Sequence, residues 1–158
     1  MSEADMVEIR DHRLREETVL EIGRFSILWS IFENQYCHMK CTSAVLAEIA
    51  PTLTIDPAAR TRFAEVLRCR CGLQELLSAD YVRFSLHPSG SRLSSEDEQM
   101  RMQQFIEQSG NELTLGCLLI VRRLRNNLMH GLKFPDELDG QLELFRAMNG
   151  VLEHLSRN

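Results

Sequence analysis

Apolar residues recur at helical spacing along most of this chain, and this period limits the fold more than any other feature. In one stretch they follow i, i+3, i+4 and i+7 spacing, which places them on one face of a helix: Ile22, Phe25, Trp29, Phe32 and Tyr36. A second stripe of this kind comprises Leu113, Cys117, Ile120, Leu124 and Leu128. Alternating patterns typical of strands never last more than about four residues. The sequence therefore predicts an all-α, antiparallel up-and-down bundle of four or five helices.

Start and stop signals indicate where the first two helices lie. The apolar period predicts a long first helix over about residues 11–50, and a kink near residues 41–43 is left open. Asp56 followed by Pro57 has the form of an N-cap and a first-turn proline. We therefore expect a second helix to begin there and to end near residue 84, before an exposed loop.

The second half of the chain has comparable signals. Ser95 and Glu98 have the spacing of a capping box and predict the start of a third helical region. This region is one helix or two, since Gly110 and Gly116 lie within or beside it, and Gly131 is well placed to end it. A final helix is expected to carry its apolar face on Leu138, Leu142, Phe145, Met148, Leu152 and Leu155.

Length and composition indicate a single domain spanning residues 1–158. Hydrophobic residues make up 44% of the chain and charged residues 26%, which is ordinary for a soluble globular protein. The net charge of -5 argues against a protein that coats nucleic acid. The longest apolar run, residues 117–121, is far too short to span a membrane, and the N-terminal stretch has no apolar signal core. These features predict a cytoplasmic protein without a membrane partner.

The cysteines carry little functional signal. Their number, five, is odd and their spacing irregular, which argues against a secreted disulfide scaffold. Cys37, His38 and Cys41 together with Cys69 and Cys71 suggest zinc, but the spacing lies within helices and differs from that of short-turn zinc knuckles. We therefore predict buried helix cysteines, no metal site and no cofactor.

A short segment near the C-terminal end is the strongest functional feature. Residues 125–130 read Arg-Asn-Asn-Leu-Met-His, and Gly131 follows. His130 in the last turn of a helix would be favoured in its protonated form by the helix dipole, and an imidazole near neutrality acts as acid or base. Arg125 would lie about 7.5 Å away along a regular helix and roughly 140° around it, so two copies facing each other could complete one site. Asn126 shares a face with His130.

Basic residues surround this segment. Between residues 117 and 134 there is no acid, and the four basic residues are Arg122, Arg123, Arg125 and Lys133. Such a stretch can meet a phosphate even on an acidic protein. The alternative is a solvated helix face whose cations complement the negative end of the helix dipole. Asn127 lies on another side of the helix and could cap it, contact a partner chain or bind substrate.

The segment resembles the signature of the HEPN superfamily, in which an arginine followed by a polar residue precedes a histidine by a few positions. The surrounding RNNLMHGLKF is similar to that of small standalone bacterial HEPN proteins, and so is WSIFE at residues 29–33 in the first helix. The specific part of the likeness covers about a dozen residues, and the helical plan of most of the chain agrees with it. One departure is Leu132, at a position where HEPN toxins with a nucleotidyltransferase antitoxin often have a tyrosine. Silencing by adenylylation of that tyrosine is therefore not open to this chain.

The resemblance implies a metal-independent endoribonuclease in which an RNA 2′-hydroxyl attacks the adjacent phosphate and leaves a cyclic phosphate. By matching positions, His130 would act as acid or base and Arg125 would stabilise the charge that develops on phosphorus. Asn126 would position the phosphate or the histidine. Many HEPN proteins act in toxin–antitoxin or phage-defence systems and dimerise through the motif helices. An RNA substrate, a homodimer and an antitoxin or regulatory protein are thus the expected partners.

Four further residues are candidates for substrate binding. Arg122 and Lys133 would grip flanking phosphates, which makes binding salt-sensitive. Glu33 would face the motif and pair with Arg125, as an early acidic residue does in several HEPN proteins, and Asn127 completes this set. Two other classes of function stay open. One is a non-catalytic HEPN module that binds RNA, a nucleotide or a protein, and the other is a structural dimer subunit with Arg122 and Arg123 at its surface or interface.

Overall fold

The computed structural model describes residues 5–70, 72–78, 93–129 and 135–158, and in these ranges the chain is mostly helical. The α-helices there are α1 (Glu16–Tyr36), α2 (Ser43–Ile49), α3 (Pro57–Arg68), α4 (Leu73–Leu77), α5 (Ser95–Glu107), α6 (Leu113–Met129) and α7 (Leu142–Glu153). Two antiparallel pairs of short strands accompany them: β1 (Met6–Ile9) with β2 (His12–Arg15), and β3 (Leu53–Ile55) with β4 (Leu155–Arg157). Short 3-10 helices cover Ala50–Thr52 and Pro135–Gln141. The mostly helical character is confirmed. These ranges contain seven α-helices, more than the four or five that the sequence predicted, and two small sheets that the sequence pattern did not predict.

A β-hairpin precedes the first helix. Its strands occupy residues 6–15 and are joined by a two-residue turn in which Arg10 has a φ of 53°. Leu14 points inward and is buried. The backbone N–H of Arg15 donates to the Asp139 carboxylate at 2.9 Å, and its guanidinium donates to the Asp139 carbonyl at 2.8 Å. Because this contact holds the end of the second strand, α1 begins after Arg15 rather than at residue 11.

The long first helix expected over residues 11–50 is interrupted after α1, so that prediction was wrong in length. His38 and Met39 have φ angles of 49° and 81°, in the left-handed region. Neither conformation can continue a right-handed helix. The chain restarts as α2 when the Thr42 hydroxyl accepts a hydrogen bond from the Val45 N–H at 3.2 Å. The break thus falls just before the residues where a kink was left open.

The second helix begins where the sequence predicted. The Asp56 carboxylate accepts a hydrogen bond from the Ala59 N–H at 3.1 Å, as an N-cap does. The helix is shorter than expected, because the chain leaves it after α3 and passes through Gly72, whose φ is 76°. α4 starts directly after that glycine. The remainder of the expected helix and the expected loop fall within residues 79–92, outside the described residues.

The third helical region is two helices. Ser94 caps α5, since its hydroxyl accepts a hydrogen bond from the Asp97 N–H at 3.1 Å, so the cap lies one residue before the predicted Ser95. Gln108 and Gly110 have φ angles of 53° and 85°, which ends α5 and reverses the chain before α6. Gly131, the predicted end of this region, lies outside the described residues.

The final helix, α7, buries the apolar face that the sequence predicted from residue 142 to residue 152. The two outer members of that set lie elsewhere. Leu138 belongs to the 3-10 helix before α7, and Leu155 lies in β4, where it pairs with Ile55. A strand of three residues carries too little alternation to be recognised from its sequence.

The core surrounds α6, in which residues 115–121 are all buried. Phe25 of α1 packs edge-on against Phe145 of α7, with ring centroids 5.8 Å apart. Phe63 of α3 packs against Phe105 of α5 at 5.7 Å. α6 itself contacts α5, α2, α4 and β3, and its C-terminal residues 125–128 are half-buried. Although α6 is apolar, no helix in the described ranges is long and apolar enough to cross a bilayer.

The first prediction concerns the contact between α5 and α6 at Gly116. A Cβ placed there would overlap the carbonyl oxygen of Arg101 and lie 2.9 Å from the Cβ of Phe105. Because the carbonyl is part of the backbone of α5, the clash is relieved only if the two helices separate. We expect Gly116→Ala to lower the free energy of unfolding by about 2–3 kcal/mol, measured by urea denaturation.

Gly23 provides the matched control. It lies within α1, and a Cβ there would meet nothing within 4 Å. Alanine is the better helix former, so Gly23→Ala should raise the free energy of unfolding by roughly 0.5–1 kcal/mol. Equal stability of the two variants would contradict the close approach of α5 and α6.

Candidate functional site at the end of helix α6

The motif segment lies where α6 emerges from the core. Residues 115–121, 123 and 124 are buried, whereas residues 122 and 125–128 are half-buried. α6 is described as far as Met129, so the positions of Arg125, Asn126 and Asn127 are known. His130 and Lys133 lie outside the described residues. The position of the arginine relative to its neighbours can therefore be given, and the placement of the histidine stays a prediction.

Arg125 contacts both its own helix and the end of α1. Its Nη2 lies 3.7 Å from Oε1 of Glu33, with the two side chains 33% and 25% exposed. Its Nη1 donates a hydrogen bond to the Asn126 side-chain oxygen at 3.2 Å. The pairing of Glu33 with Arg125 that the sequence suggested is thus present. The pair holds the guanidinium in a definite position while leaving part of it accessible.

Asn127 lies on the opposite side of α6. A step of two residues along a helix turns the side chain by roughly 200°, which directs it away from Arg125. It lines a small pocket with Leu138, Gln141 and Phe145, and its side-chain oxygen is buried without a hydrogen-bond partner in the described part of the chain. The structure therefore does not bring Asn127 together with Arg125 within one chain.

Arg122 is attached to the loop that follows α1. Its Nε donates a hydrogen bond to the carbonyl of Cys41 at 2.7 Å. Burial lowers the pKa of Arg122 below the ordinary arginine value, the nearby Glu98 carboxylate raises it, and Arg125 lowers it again. An arginine still remains protonated at neutral pH. The site thus contains two neighbouring cations, and one of them is anchored by a backbone carbonyl.

Arg123 has a different role from the one its place in the basic cluster suggested. It is 2% exposed, and its Nη1 donates to the carbonyls of Leu76 at 2.7 Å and Ser78 at 3.0 Å. Its Nη2 lies 3.7 Å from the buried carboxylate of Glu98. Arg123 therefore ties α4 and α5 to α6 inside the molecule. The sequence had suggested that Arg123 belongs to a phosphate-binding stretch or lies at the surface. Both suggestions were wrong for this residue, because its side chain is buried.

The loop between α1 and α2 borders the site and was missed by sequence reasoning. Cys37 and Cys41 form a disulfide, so the prediction of buried helix cysteines was wrong for this pair. Neither residue lies within a helix, because α1 ends one residue before Cys37. The prediction was also wrong for Cys69, which is exposed and follows the last residue of α3. The C-x3-C spacing would fit one turn of helix equally well, and it gave no signal for a disulfide. The loop touches Arg122 through Cys41, as described above.

The arrangement suits recognition of a phosphate by Arg125. A guanidinium presents paired N–H donors that match phosphate geometry, and the carboxylate of Glu33 holds these donors in place. A phosphate arriving at Arg125 would compete with Glu33 for the same guanidinium. Glu33 thus orients the cation and also sets how strongly an anion must bind.

Comparison with protein-family models, with curated proteins and with solved structures found no match to this chain. The resemblance to HEPN proteins consequently depends on the motif and on the helical plan.

The second prediction separates the roles of the two neighbouring arginines by their effect on stability. Removing Arg123 would leave the Glu98 carboxylate and two carbonyls buried without their cation. We expect Arg123→Ala to lower the free energy of unfolding by about 3–5 kcal/mol. Arg125→Ala should change it by less than about 1 kcal/mol, since the pair with Glu33 is partly exposed. Both values come from urea denaturation followed by circular dichroism, and similar losses in the two variants would contradict this division.

Proposed function

We propose that this chain is a metal-independent endoribonuclease of the HEPN type, active as a homodimer. The observation that carries the proposal is the half-exposed Arg125, which is oriented by Glu33 of α1 and lies five positions before His130. In this proposal the five longer helices, α1, α3, α5, α6 and α7, correspond to the four- or five-helix HEPN bundle. The setting is a toxin–antitoxin or phage-defence system in the cytoplasm, with an antitoxin or other regulatory protein as a further partner.

The proposed reaction is an intramolecular transesterification of RNA. His130 removes the proton from a ribose 2′-hydroxyl, the oxygen forms a bond to the adjacent phosphorus, and the bond to the 5′-oxygen breaks. The leaving oxygen takes up a proton, and the products are a 2′,3′-cyclic phosphate and a 5′-hydroxyl. Arg125 stabilises the charge that builds up on the phosphoryl oxygens. The side chain of Asn126, which accepts a hydrogen bond from Arg125, positions the phosphate or the histidine.

Binding of the flanking RNA is assigned to the residues around this pair. Arg122 and Lys133 contact neighbouring phosphates, and Asn127 contributes from the other side of the helix or in the partner chain. Glu33 exchanges its contact with Arg125 for one with the incoming nucleotide. Because the protein is acidic overall, the proposal assigns attraction for RNA to the acid-free basic stretch between residues 117 and 134.

A second candidate function is a non-catalytic module that binds RNA, a nucleotide or a protein. The observation that favours it is the engagement of Arg125 by both Glu33 and Asn126, which an anion must displace. Such a module would keep phosphate binding at Arg125 without turnover. The cleavage experiment described next discriminates between the two functions.

The third prediction concerns cleavage. In EDTA the wild-type protein should cut a mixed RNA pool and leave cyclic phosphate ends, identified by mass spectrometry of the fragments. His130→Ala should reduce the rate by about a hundredfold or more, the usual contribution of an acid–base group. Arg125→Ala should reduce it by about a hundredfold, the usual effect of removing one group that stabilises transition-state charge.

Two matched variants serve as controls for that experiment. His154 is an exposed histidine at the end of α7, and Arg62 is an exposed arginine of α3 paired with Glu143. His154→Ala and Arg62→Ala should cleave RNA at the wild-type rate. Binding of RNA without cleavage by the wild type would reject the nuclease and favour the module.

The exposed face of α1 supports the homodimer. Ile27 and Ile31 are 64% and 44% exposed, lie one turn apart and form an apolar surface just before Glu33. Exposed apolar residues that line one face of a helix are typical of a contact with another chain. Ile31 lies two residues before Glu33 and therefore roughly 200° around α1 from it, so this face provides a dimer contact that is separate from the Arg125 site.

The fourth prediction tests this surface. Wild-type protein should have twice the 18.2 kDa mass of one chain in light scattering after size-exclusion chromatography. Ile31→Asp should shift the protein to the monomer, because a buried carboxylate disfavours the contact. Ile9, which is 48% exposed on β1, is the matched control, and Ile9→Asp should remain dimeric. A dimeric Ile31→Asp variant would place the dimer contact elsewhere.

A further inference from the structure

The five-residue segment from Cys37 to Cys41, here called the disulfide loop, has a conformation that needs an external restraint. His38 and Met39 both occupy the left-handed region, and neither is glycine. A residue with a Cβ is disfavoured in that conformation, so two in succession are unfavourable without compensation. The bond between Cys37 and Cys41 closes the loop around these two residues. The covalent bridge therefore helps to maintain a backbone that the loop would not keep alone.

Hydrogen bonds connect the disulfide loop to Glu33. The backbone N–H groups of Cys37 and Met39 donate to the Glu33 carbonyl at 3.2 and 3.0 Å, and the N–H of Lys40 donates to the Cys37 carbonyl at 3.2 Å. The Glu33 carbonyl near the end of α1 thus accepts hydrogen bonds from two residues of the loop. The same Glu33 pairs through its side chain with Arg125. A change in the loop thus reaches Arg125 through one residue.

A second connection runs from the disulfide loop to Arg122. The carbonyl of Cys41 accepts the hydrogen bond from Arg122 Nε at 2.7 Å. The loop therefore contacts Glu33, the partner of Arg125, through Cys37 and Met39, and contacts Arg122 directly through Cys41. Relaxation of the loop would remove two restraints on the site at once.

We propose that Cys37 and Cys41 form a reversible thiol–disulfide site, and that its oxidation state controls the arrangement of Glu33, Arg122 and Arg125. The reacting partner is a dithiol reductant of the thioredoxin class, with its oxidised form for the reverse step. The effect on RNA cleavage rests on the function proposed above, whereas the effect on the loop does not. Disulfides in a reducing compartment, which the sequence predicts for this chain, are typically transient and redox-sensing.

The exchange proceeds at the more accessible sulfur. Cys37 is buried, whereas Cys41 is half-buried, so a thiolate of the partner attacks the sulfur of Cys41. The bond between the two cysteines breaks, and Cys37 leaves as a thiolate and takes up a proton. The second thiol of the partner then resolves the mixed disulfide and releases Cys41 as a thiol. In balance, the loop gains two electrons and two protons, and the partner dithiol becomes a disulfide.

The other described cysteines do not compete for this role. Cys117 is fully buried in α6, and burial raises the pKa of its thiol, which keeps it in the unreactive protonated form. Cys69 is an exposed free cysteine at the end of α3. Cys69→Ser is therefore a matched control that removes a thiol without touching the disulfide loop.

The fifth prediction compares oxidised full-length protein with protein reduced by thioredoxin and its reductase. Mass spectrometry after alkylation should locate two additional modified cysteines at positions 37 and 41 on reduction. Amide hydrogen exchange of residues 33–42 should become at least about tenfold faster, because the loop and the end of α1 lose their restraint. Cleavage of the RNA pool in EDTA should fall severalfold in the reduced protein.

The variants decide between the possible causes. Cys37→Ser/Cys41→Ser should resemble the reduced wild type and no longer respond to thioredoxin, whereas Cys69→Ser should respond as the wild type does. Unchanged hydrogen exchange on reduction would overturn the proposal, whatever the activity. If hydrogen exchange becomes faster on reduction but both forms cleave RNA at the same rate, the disulfide does not control the activity. Faster exchange in a protein that cleaves no RNA in either form would support the redox site and reject the nuclease.

Discussion

The burial of α6 is the constraint on which the rest of the structure depends. A helix that is apolar around most of its circumference is stable in water only when neighbours cover every side. α5 approaches so closely that only a glycine fits at position 116 of α6. α2, α4 and the strand β3 also contact α6, while α1, α3 and α7 extend the same core. The packing of the shorter elements thus follows from the need to enclose one central helix.

This enclosure also determines which polar groups are structural and which are available. Arg123 lies inside it and is neutralised by Glu98 and two backbone carbonyls, because a buried cation without partners would be costly. Two residues later α6 leaves the core, and Arg125 is half-exposed beside Glu33. The candidate site therefore lies at the boundary between core and solvent. Arg125 is held by the rigid, mostly buried helix α6 but remains partly exposed itself.

Local signals predicted several helix starts well and helix ends poorly. The start of α3 was predictable because the Asp56 side chain caps it by accepting a hydrogen bond from a residue only three positions further along the chain. The end of α1 was not predictable, because the residues that adopt the left-handed backbone conformation there are His38 and Met39, and not the usual glycine or asparagine. The pairing of β3 with β4 joins residues about one hundred positions apart, and strands of three residues carry almost no pattern. Elements that depend on partners distant in the sequence were therefore not predicted.

The helical character, the apolar faces of α1, α6 and α7, and the motif at residues 125–130 could be recognised from the sequence alone. The tertiary structure decided what each neighbouring arginine does. Arg122 contacts Cys41, Arg123 is buried with Glu98, and Arg125 pairs with Glu33. Helical spacing gives the direction of a side chain, but the solvation and charge partners of that side chain come from segments distant in sequence. For this reason the motif could be recognised in the sequence, whereas the contacts that support it are seen only in the packed structure.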